Sequence, residues 1–365
     1  MKPHDIAVIA GDGIGPEVIA ESLKVLEKIR PYLKISIQLK NFDLGAARYL
    51  RTGETLPETT FQELTNFDAI LLGAVGDPQV PPGILEREIL LKLRFDLDLY
   101  INLRPCILLD GVFTPIKHKT ARDINFTVVR ENTESVYVGL GGVFKKGTAD
   151  EVAIQEDVNT RKGVERAIRY AFEYCQKYGA QKKLTLVDKA NVLTHAHQLW
   201  RRTFEEVSRE YPGIQKNALY VDAAAMDFIR RPETFDVLVT NNIFGDILTD
   251  LGAIISGGLG LAASANMNPA ARAKSISSGV KRCAAMFEPI HGSAPDIAGK
   301  GLANPLAAIL AIKMLLEFLD ETAAAKKIDE AVRAVLTSEK IFKSESADLQ
   351  LKTTEVGELV VKKII

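Results

Sequence analysis

Cysteine is scarce: Cys106, Cys175 and Cys283 are the only three in 365 residues, and they lie far apart. The number is odd and no pair has metal-ligand spacing. That argues against a disulfide framework or a zinc site and predicts a reducing, cytoplasmic setting. Net charge is nearly absent too. With 46 Lys and Arg against 47 Asp and Glu the formal charge is −1, both signs are scattered, and no basic field marks the chain for a nucleic-acid partner. Long apolar runs are missing. Leu302 to Leu319 is the greasiest stretch, but Asn304, Pro305 and Lys313 break it, so it reads as a buried helix and not a membrane span. No secretory signal is expected, because Ile6 to Ala10 is short and runs at once into Gly11-Asp12-Gly13. Low-complexity linkers and internal repeats are also wanting.

What is present is an ordinary globular composition, 47% hydrophobic and 25% charged, in a chain long enough for about two domains. Apolar runs rich in β-formers recur: Ile6–Ala10, Ala69–Val75, Phe126–Val129, Leu184–Val187 and Phe235–Val239. Helical periodicity fills Glu17–Ile29, Arg161–Lys177, Leu193–Glu210 and Pro305–Leu319. This alternation predicts an α/β protein with an open, twisted, mostly parallel sheet. Val136 to Phe144, with Gly139, Gly141 and Gly142, reads instead as a β-arm or hairpin.

Gly11-Asp-Gly-Ile-Gly-Pro16 follows a strand and opens a helix, but its spacing is not the G-x-G-x-x-G of dinucleotide folds. It reads as a tight structural turn with Pro16 in the first helical turn, and no Rossmann fold is assigned. Arg94, Arg104 and Arg130 stand near the ends of predicted elements. Converging guanidinium groups would suit a substrate with more than one carboxylate; composition alone favours three surface arginines. In Asn242-Ile-Phe-Gly-Asp246-Ile-Leu-Thr-Asp250, helical winding puts two like charges one turn apart, an arrangement a cation would relieve. Asp222, after another strand, adds a possible third carboxylate, and an all-oxygen set favours Mg²⁺ or Mn²⁺. Lys189 directly follows a strand, where open α/β sheets face their ligand crevice, and near a metal it could act as a base. His195 and His197 fall about 200° apart on a helix, so they do not share an ion. Glu288 to Gly301 is a small-residue loop that would let a flat ligand approach, with Asp296 placed to accept from a ribose diol.

These segments, in this order, resemble the β-decarboxylating dehydrogenase family, whose members act on 3-isopropylmalate, isocitrate, homoisocitrate, tartrate and D-malate. The resemblance runs from about Ile6 to Leu319. Its most specific parts are Asn242–Leu261 and His291–Asn304, and within the family the chain looks most like the 3-isopropylmalate members of leucine biosynthesis. It implies a two-domain fold that is not a Rossmann fold, with residues 1–99 and 256–365 as a large cofactor-binding domain and 100–255 as a small domain carrying a dimerisation arm. It implies that Arg94, Arg104 and Arg130 bind the malate carboxylates, that Tyr137 and Lys189 are the acid–base pair, and that Asp222, Asp246 and Asp250 hold Mg²⁺ or Mn²⁺ with the substrate. Gly73, Ala74, Glu288, His291, Gly292, Ser293, Ala294, Asp296, Ile297 and Asn304 would line the dinucleotide site. Lys189 and Asp222 would reach the site from the neighbouring subunit of a homodimer.

Two choices within the family have physical grounds. NADP-using relatives place Lys-Tyr where this chain has Asp296-Ile297; a carboxylate accepts from a ribose 2′-hydroxyl and repels a 2′-phosphate, so NAD is expected. Isocitrate-using relatives carry Ser-x-Asn before the first arginine, where this chain has Glu88 and Leu90. Leu90 and Leu91 would meet an isopropyl group. Arg87 and the Arg130–Ser135 segment depart from the usual isopropylmalate pattern and keep homoisocitrate and simple malates open.

Overall fold

The computed structural model describes residues 3–343 and 348–365. Twelve strands are described: β1 (Pro3–Gly11), β2 (Ser36–Asn41), β3 (Ala69–Ala74), β4 (Ile101–Ile107), β5 (Asn125–Glu131), β6 (Gly141–Phe144), β7 (Val152–Gln155), β8 (Lys183–Asp188), β9 (Gln215–Tyr220), β10 (Val237–Thr240), β11 (Ala263–Met267) and β12 (Ala285–Pro289). The chain divides into two units. One holds Met1–Leu99, Leu108–Ala121 and Ala253–Ile365; the other holds Tyr100–Ile107 and Arg122–Gly252.

In the first unit the strand order is β2-β1-β3-β12-β11. All neighbours run parallel except β11 with β12. β3 is buried at every position, as a strand covered on both faces should be, and this is why its sequence is a continuous apolar run and not an alternation. The helix Gly15–Ile29 buries Val18, Ile19, Ser22, Val25, Leu26 and Ile29, a stripe at helical spacing. The helix Leu306–Phe318 is buried nearly all round, and no helix among the described residues is long and apolar enough to cross a membrane.

The glycine-rich turn after β1 is structural. Gly13 has φ +57°, and a Cβ there would meet the Ser293 carbonyl oxygen at 1.9 Å. The closeness lets Ile14 N–H donate to that oxygen at 2.8 Å and Asp12 N–H donate to Ala74 O at 2.7 Å.

In the second unit the order is β4-β5-β10-β8-β9, with only the β4–β5 pair antiparallel. Phe126, Phe228 and Phe235 cluster at its centre, ring centroids 4.7 to 5.7 Å apart. Two sequence expectations need correction here. The arm does not begin at Val136: Val136–Val138 forms a single 3₁₀ turn, which Gly139 ends at φ +73°. The hairpin is β6 paired with β7, exposed along its length. The chain also does not stay in one unit from 100 to 255. Leu108–Ala121 returns to the first unit, where a Cβ on Gly111 would lie 2.2 Å from Leu336 O, and the final change comes at Ala253.

The segment Glu86–Leu91 winds as a π-turn before the short helix Lys92–Asp96. Nothing in its periodicity announces this; such turns recur where a helix is bent to a functional purpose.

Candidate active site

In the second unit the β4–β5 register sets Asn102 opposite Arg130. Side chains on a strand alternate, so Asn102, Arg104 and Arg130 emerge on one face. Opposite them runs the helix Asn242–Ile255, whose Asn242, Asp246, Thr249 and Asp250 recur at helical spacing. Arg130 Nε donates to Asn242 Oδ1 at 2.8 Å and its NH1 donates to Asp246 Oδ1 at 2.5 Å. Arg104 donates to Asn102 Oδ1 and Thr249 Oγ1 and lies 3.4 Å from Asp246 and 4.0 Å from Asp250. Both arginines are at least 95% buried. Gly245 makes room for this: a Cβ there would stand 2.5 Å from Arg130 Cγ. Tyr137 closes the cluster. Its hydroxyl donates to Asp246 Oδ2 at 2.7 Å and its ring lies 5.2 Å from the Arg130 guanidinium.

Burial pushes the Asp250 carboxyl above its ordinary range and the charge of Asp246 adds to this, while Arg104 and Arg130 pull the other way. Two mutually repelling carboxylates one helical turn apart are a donor set that a hard divalent cation fits. Asp222 does not join them in this chain. It accepts from Lys189 Nζ at 2.8 Å, and the lysine holds its carboxyl below the usual range. Among the described residues no three acidic, His or Cys side chains come together as a metal group.

Lys189 follows β8, and its backbone N–H donates to His197 Nδ1 at 3.0 Å. His197 is wholly buried, whereas His195 lies on the surface.

The first unit carries the remaining expected residues. Arg94 is buried and donates to Glu288 Oε1 at 2.8 Å; Asn266 Nδ2 donates to the same oxygen at 2.8 Å. Arg94 Nε is buried with no protein acceptor. Leu90 is half-buried and packs on a core that includes Ile89 and Leu93; Leu91 is half-buried beside it. Gly73 and Ala74 end β3, where a Cβ on Gly73 would meet Ala10 O at 2.2 Å, so this glycine serves packing. Asn304 Oδ1 accepts from Leu306 N–H at 3.0 Å where the next helix begins. Ala294 has φ +39° and accepts from Ile297 N–H, with Asp296 exposed between them.

A cleft of about 350 Å³ is lined by Val75, Gly76, Asp77, Glu86, Gly292, Ser293 and Pro295, among others. Beside Gly292, His291 Nε2 is buried without a partner in the protein, and burial holds the imidazole below its ordinary pKa. An orphaned nitrogen at a small-residue loop fits a polar, planar ligand. Sequence reasoning missed Asn102, Asn242 and Thr249, the groups that hold the arginines. The only available signal was that Asn242 and Thr249 fall on the same helical stripe as the aspartates.

Comparison with known proteins bears on this arrangement. A family model described as isocitrate/isopropylmalate dehydrogenase matches residues 5–360. The chain is 49% identical over 359 residues to the 3-isopropylmalate dehydrogenase of Thermobifida fusca, covering 98% of this chain and 97% of that one. It is 50% identical over 353 residues to that of Frankia casuarinae, 97% of each chain. Among solved structures, isocitrate dehydrogenase from Methylococcus capsulatus superposes with a TM-score of 0.85 at 38% identity, covering 99% of both chains. The TT0538 protein of Thermus thermophilus gives 0.84 at 34% identity, covering 99% of this chain and 68% of that one.

Proposed function

The chain belongs to the isocitrate/isopropylmalate dehydrogenase family, and on that premise we propose that it oxidises and decarboxylates (2R,3S)-3-isopropylmalate to 4-methyl-2-oxopentanoate, with NAD as oxidant, in the cytoplasmic synthesis of leucine. The observation that carries this reading is the meeting of Arg104, Arg130, Tyr137, Asp246 and Asp250 on one face of the second unit. The near-50% identity to isopropylmalate enzymes supports the choice of substrate over isocitrate.

In this reading Arg94, Arg104 and Arg130 bind the carboxylates of the malate. A guanidinium has five donors in a fixed fork, so it can hold a protein acceptor and a substrate carboxylate together. Fixing both carboxylates fixes the C2–C3 bond, and that orientation lowers the barrier to each later step. Lys189 takes the C2 hydroxyl proton as C2 is oxidised. The C3 carboxylate then leaves as CO₂, and the electron pair of the broken bond moves to the C2 oxygen, where the lysine ammonium offsets the growing charge. Tyr137 gives its hydroxyl proton to C3 of the enol. His291–Asn304 would hold a nicotinamide dinucleotide, which would supply the hydride acceptor, and Asp246 and Asp250 would hold a divalent cation, which would supply Lewis acidity.

We take the working form to be a homodimer with shared centres, Lys189 and Asp222 reaching the partner's Asp246 and Asp250. Two features favour it. Asp222 lies with Lys189 and not with the other aspartates. The β6–β7 hairpin exposes Val143, Phe144, Val152 and Ile154, and the helices Val221–Arg230 and Asn242–Ile255 expose Met226, Ile229, Ile247 and Ile254, apolar side chains that a partner subunit would cover.

The test is a panel of 3-substituted malates assayed with NAD and NADP. Isopropylmalate with NAD should give the highest kcat/KM; isocitrate, homoisocitrate or unsubstituted malate in first place would replace the substrate assignment.

A further inference from the structure

His197 joins the two groups that handle protons. Its Nδ1 meets the backbone N–H of Lys189 at 3.0 Å. An N–H needs a lone pair, so hydrogen bonding assigns the ring proton to Nε2. Nε2 lies 3.3 Å from Asn241 Nδ2 and 3.5 Å from Asp157 Oδ2. Asn241 is already oriented, because its side-chain oxygen accepts from Phe244 N–H. Two donors do not bond, so the Nε2–H is left to Asp157. Asp157 Oδ1 accepts from Ser135 Oγ at 2.6 Å. Burial raises the Asp157 carboxyl, but the hydrogen bonds from His197, Ser135 and Asn159 more than reverse this, so it stays an acceptor. Ser135 has φ +67° and opens the 3₁₀ turn that carries Tyr137. A serine in the left-handed region is strained unless its surroundings hold it there; here the Oγ bond and the Ser135 N–H to Val158 O bond at 2.7 Å do so.

We infer that His197 is a positioning residue for both proton-handling groups, fixing the Lys189 main chain through Nδ1 and the Tyr137 turn through Nε2, Asp157 and Ser135. The inference rests on the roles proposed above for Lys189 and Tyr137. It goes beyond packing, although the ring also lies against Phe244 with centroids 5.3 Å apart. Packing is indifferent to which nitrogen is kept. Positioning is not.

The two nitrogens can be kept separately. His197→Asn keeps an acceptor near the place of Nδ1 and loses the reach to Asp157. His197→Gln extends an amide N–H₂ toward Asp157 and loses the acceptor for Lys189. Two readouts separate the two sides. Reduction of the supplied β-keto acid by NADH reports on Lys189. Decarboxylation of the same acid in D₂O reports on Tyr137, through the stereochemistry of deuterium entering C3 of the product. His197→Gln should slow the reduction about 10–100-fold with KM little changed and the C3 label still stereospecific. His197→Asn should leave the reduction within about threefold and randomise the label. Asp157→Asn keeps the His197–Lys189 contact and should repeat the His197→Asn pattern, which secures the test if the histidine variants fold poorly. Equal losses in both readouts from both histidine variants, or no loss from either, would overturn the inference, as would an Asp157→Asn enzyme with a stereospecific label. A wild-type protein that neither reduces nor decarboxylates the acid would instead fault the proposed function, and the inference would fall with it.

Discussion

Tyr137 and Asp246 share a hydrogen bond, the phenol donating to Oδ2 at 2.7 Å while Arg130 occupies Oδ1 of the same carboxylate. The proposed proton donor and a proposed metal ligand are thus held as one unit against one arginine. Removing the hydroxyl leaves the Arg130–Asp246 pair in place. Tyr137→Phe should therefore cut decarboxylation of the supplied β-keto acid about 100-fold while lowering its reduction less than about tenfold. Equal losses measured side by side would remove the tyrosine from the proton-transfer step.

Asp246 also bears on metal dependence. Asp246→Asn keeps the shape and removes a charge facing Asp250, so the concentration of Mg²⁺ or Mn²⁺ giving half-maximal rate should rise at least about tenfold. A metal titration superimposable on that of the wild type would discard Asp246 as a ligand.

In the proposed reading, cofactor choice turns on Asp296, exposed in the loop between β12 and the helix Leu306–Phe318. Asp296→Lys exchanges a group that accepts from a 2′-hydroxyl for one that attracts a 2′-phosphate. The ratio of kcat/KM for NAD over NADP should fall by about 100-fold or more, a swing of roughly 3 kcal/mol from losing one charge-assisted bond and gaining another. A wild-type enzyme that prefers NADP would reverse the premise.

Stability carries a pH signature from Glu131. Burial pushes its carboxyl up to about 7, against hydrogen bonds from Thr133 and Glu134. An unfolded chain gives up this proton near the ordinary glutamate value of 4.5. Between the two values the folded state holds the extra proton, so stability falls as pH rises through the window. The full effect is about 3–4 kcal/mol at roughly 1.4 kcal/mol per unit. Glu131→Gln does not titrate. Whatever constant cost it has, its Tm relative to wild type should rise by a few degrees from about pH 5 to about pH 8. A difference in Tm that stays flat or falls would place Glu131 in the ordinary carboxylate range.

The elements that alternate along one stretch of chain were readable in advance. Ala69–Ala74 is an apolar run because it is covered on both faces, and Asn242–Ile255 shows its acidic stripe at spacing four. Resemblance located Arg94, Arg104, Arg130, Tyr137 and Lys189, but periodicity could not give their partners. Arg94 with Glu288 spans 194 residues, Arg130 with Asp246 spans 116, and Lys189 with Asp222 spans 33; such pairings depend on strand order, which no local pattern encodes. His197 was visible only as a histidine that could not share an ion with His195. The π-turn at Glu86–Leu91 was invisible because one extra residue per turn leaves composition untouched.

The winding path of the chain limits how the protein can be taken apart. β4 packs with the second unit, yet Leu108–Ala121 separates it in sequence from the rest of that unit. No single proteolytic cut or gene truncation yields the second unit whole. A fragment beginning at residue 122 would lack Arg104 and strip β5 of its antiparallel neighbour, leaving an apolar backbone edge open to other chains. Excision by recombination would have to fuse residue 107 directly to residue 122.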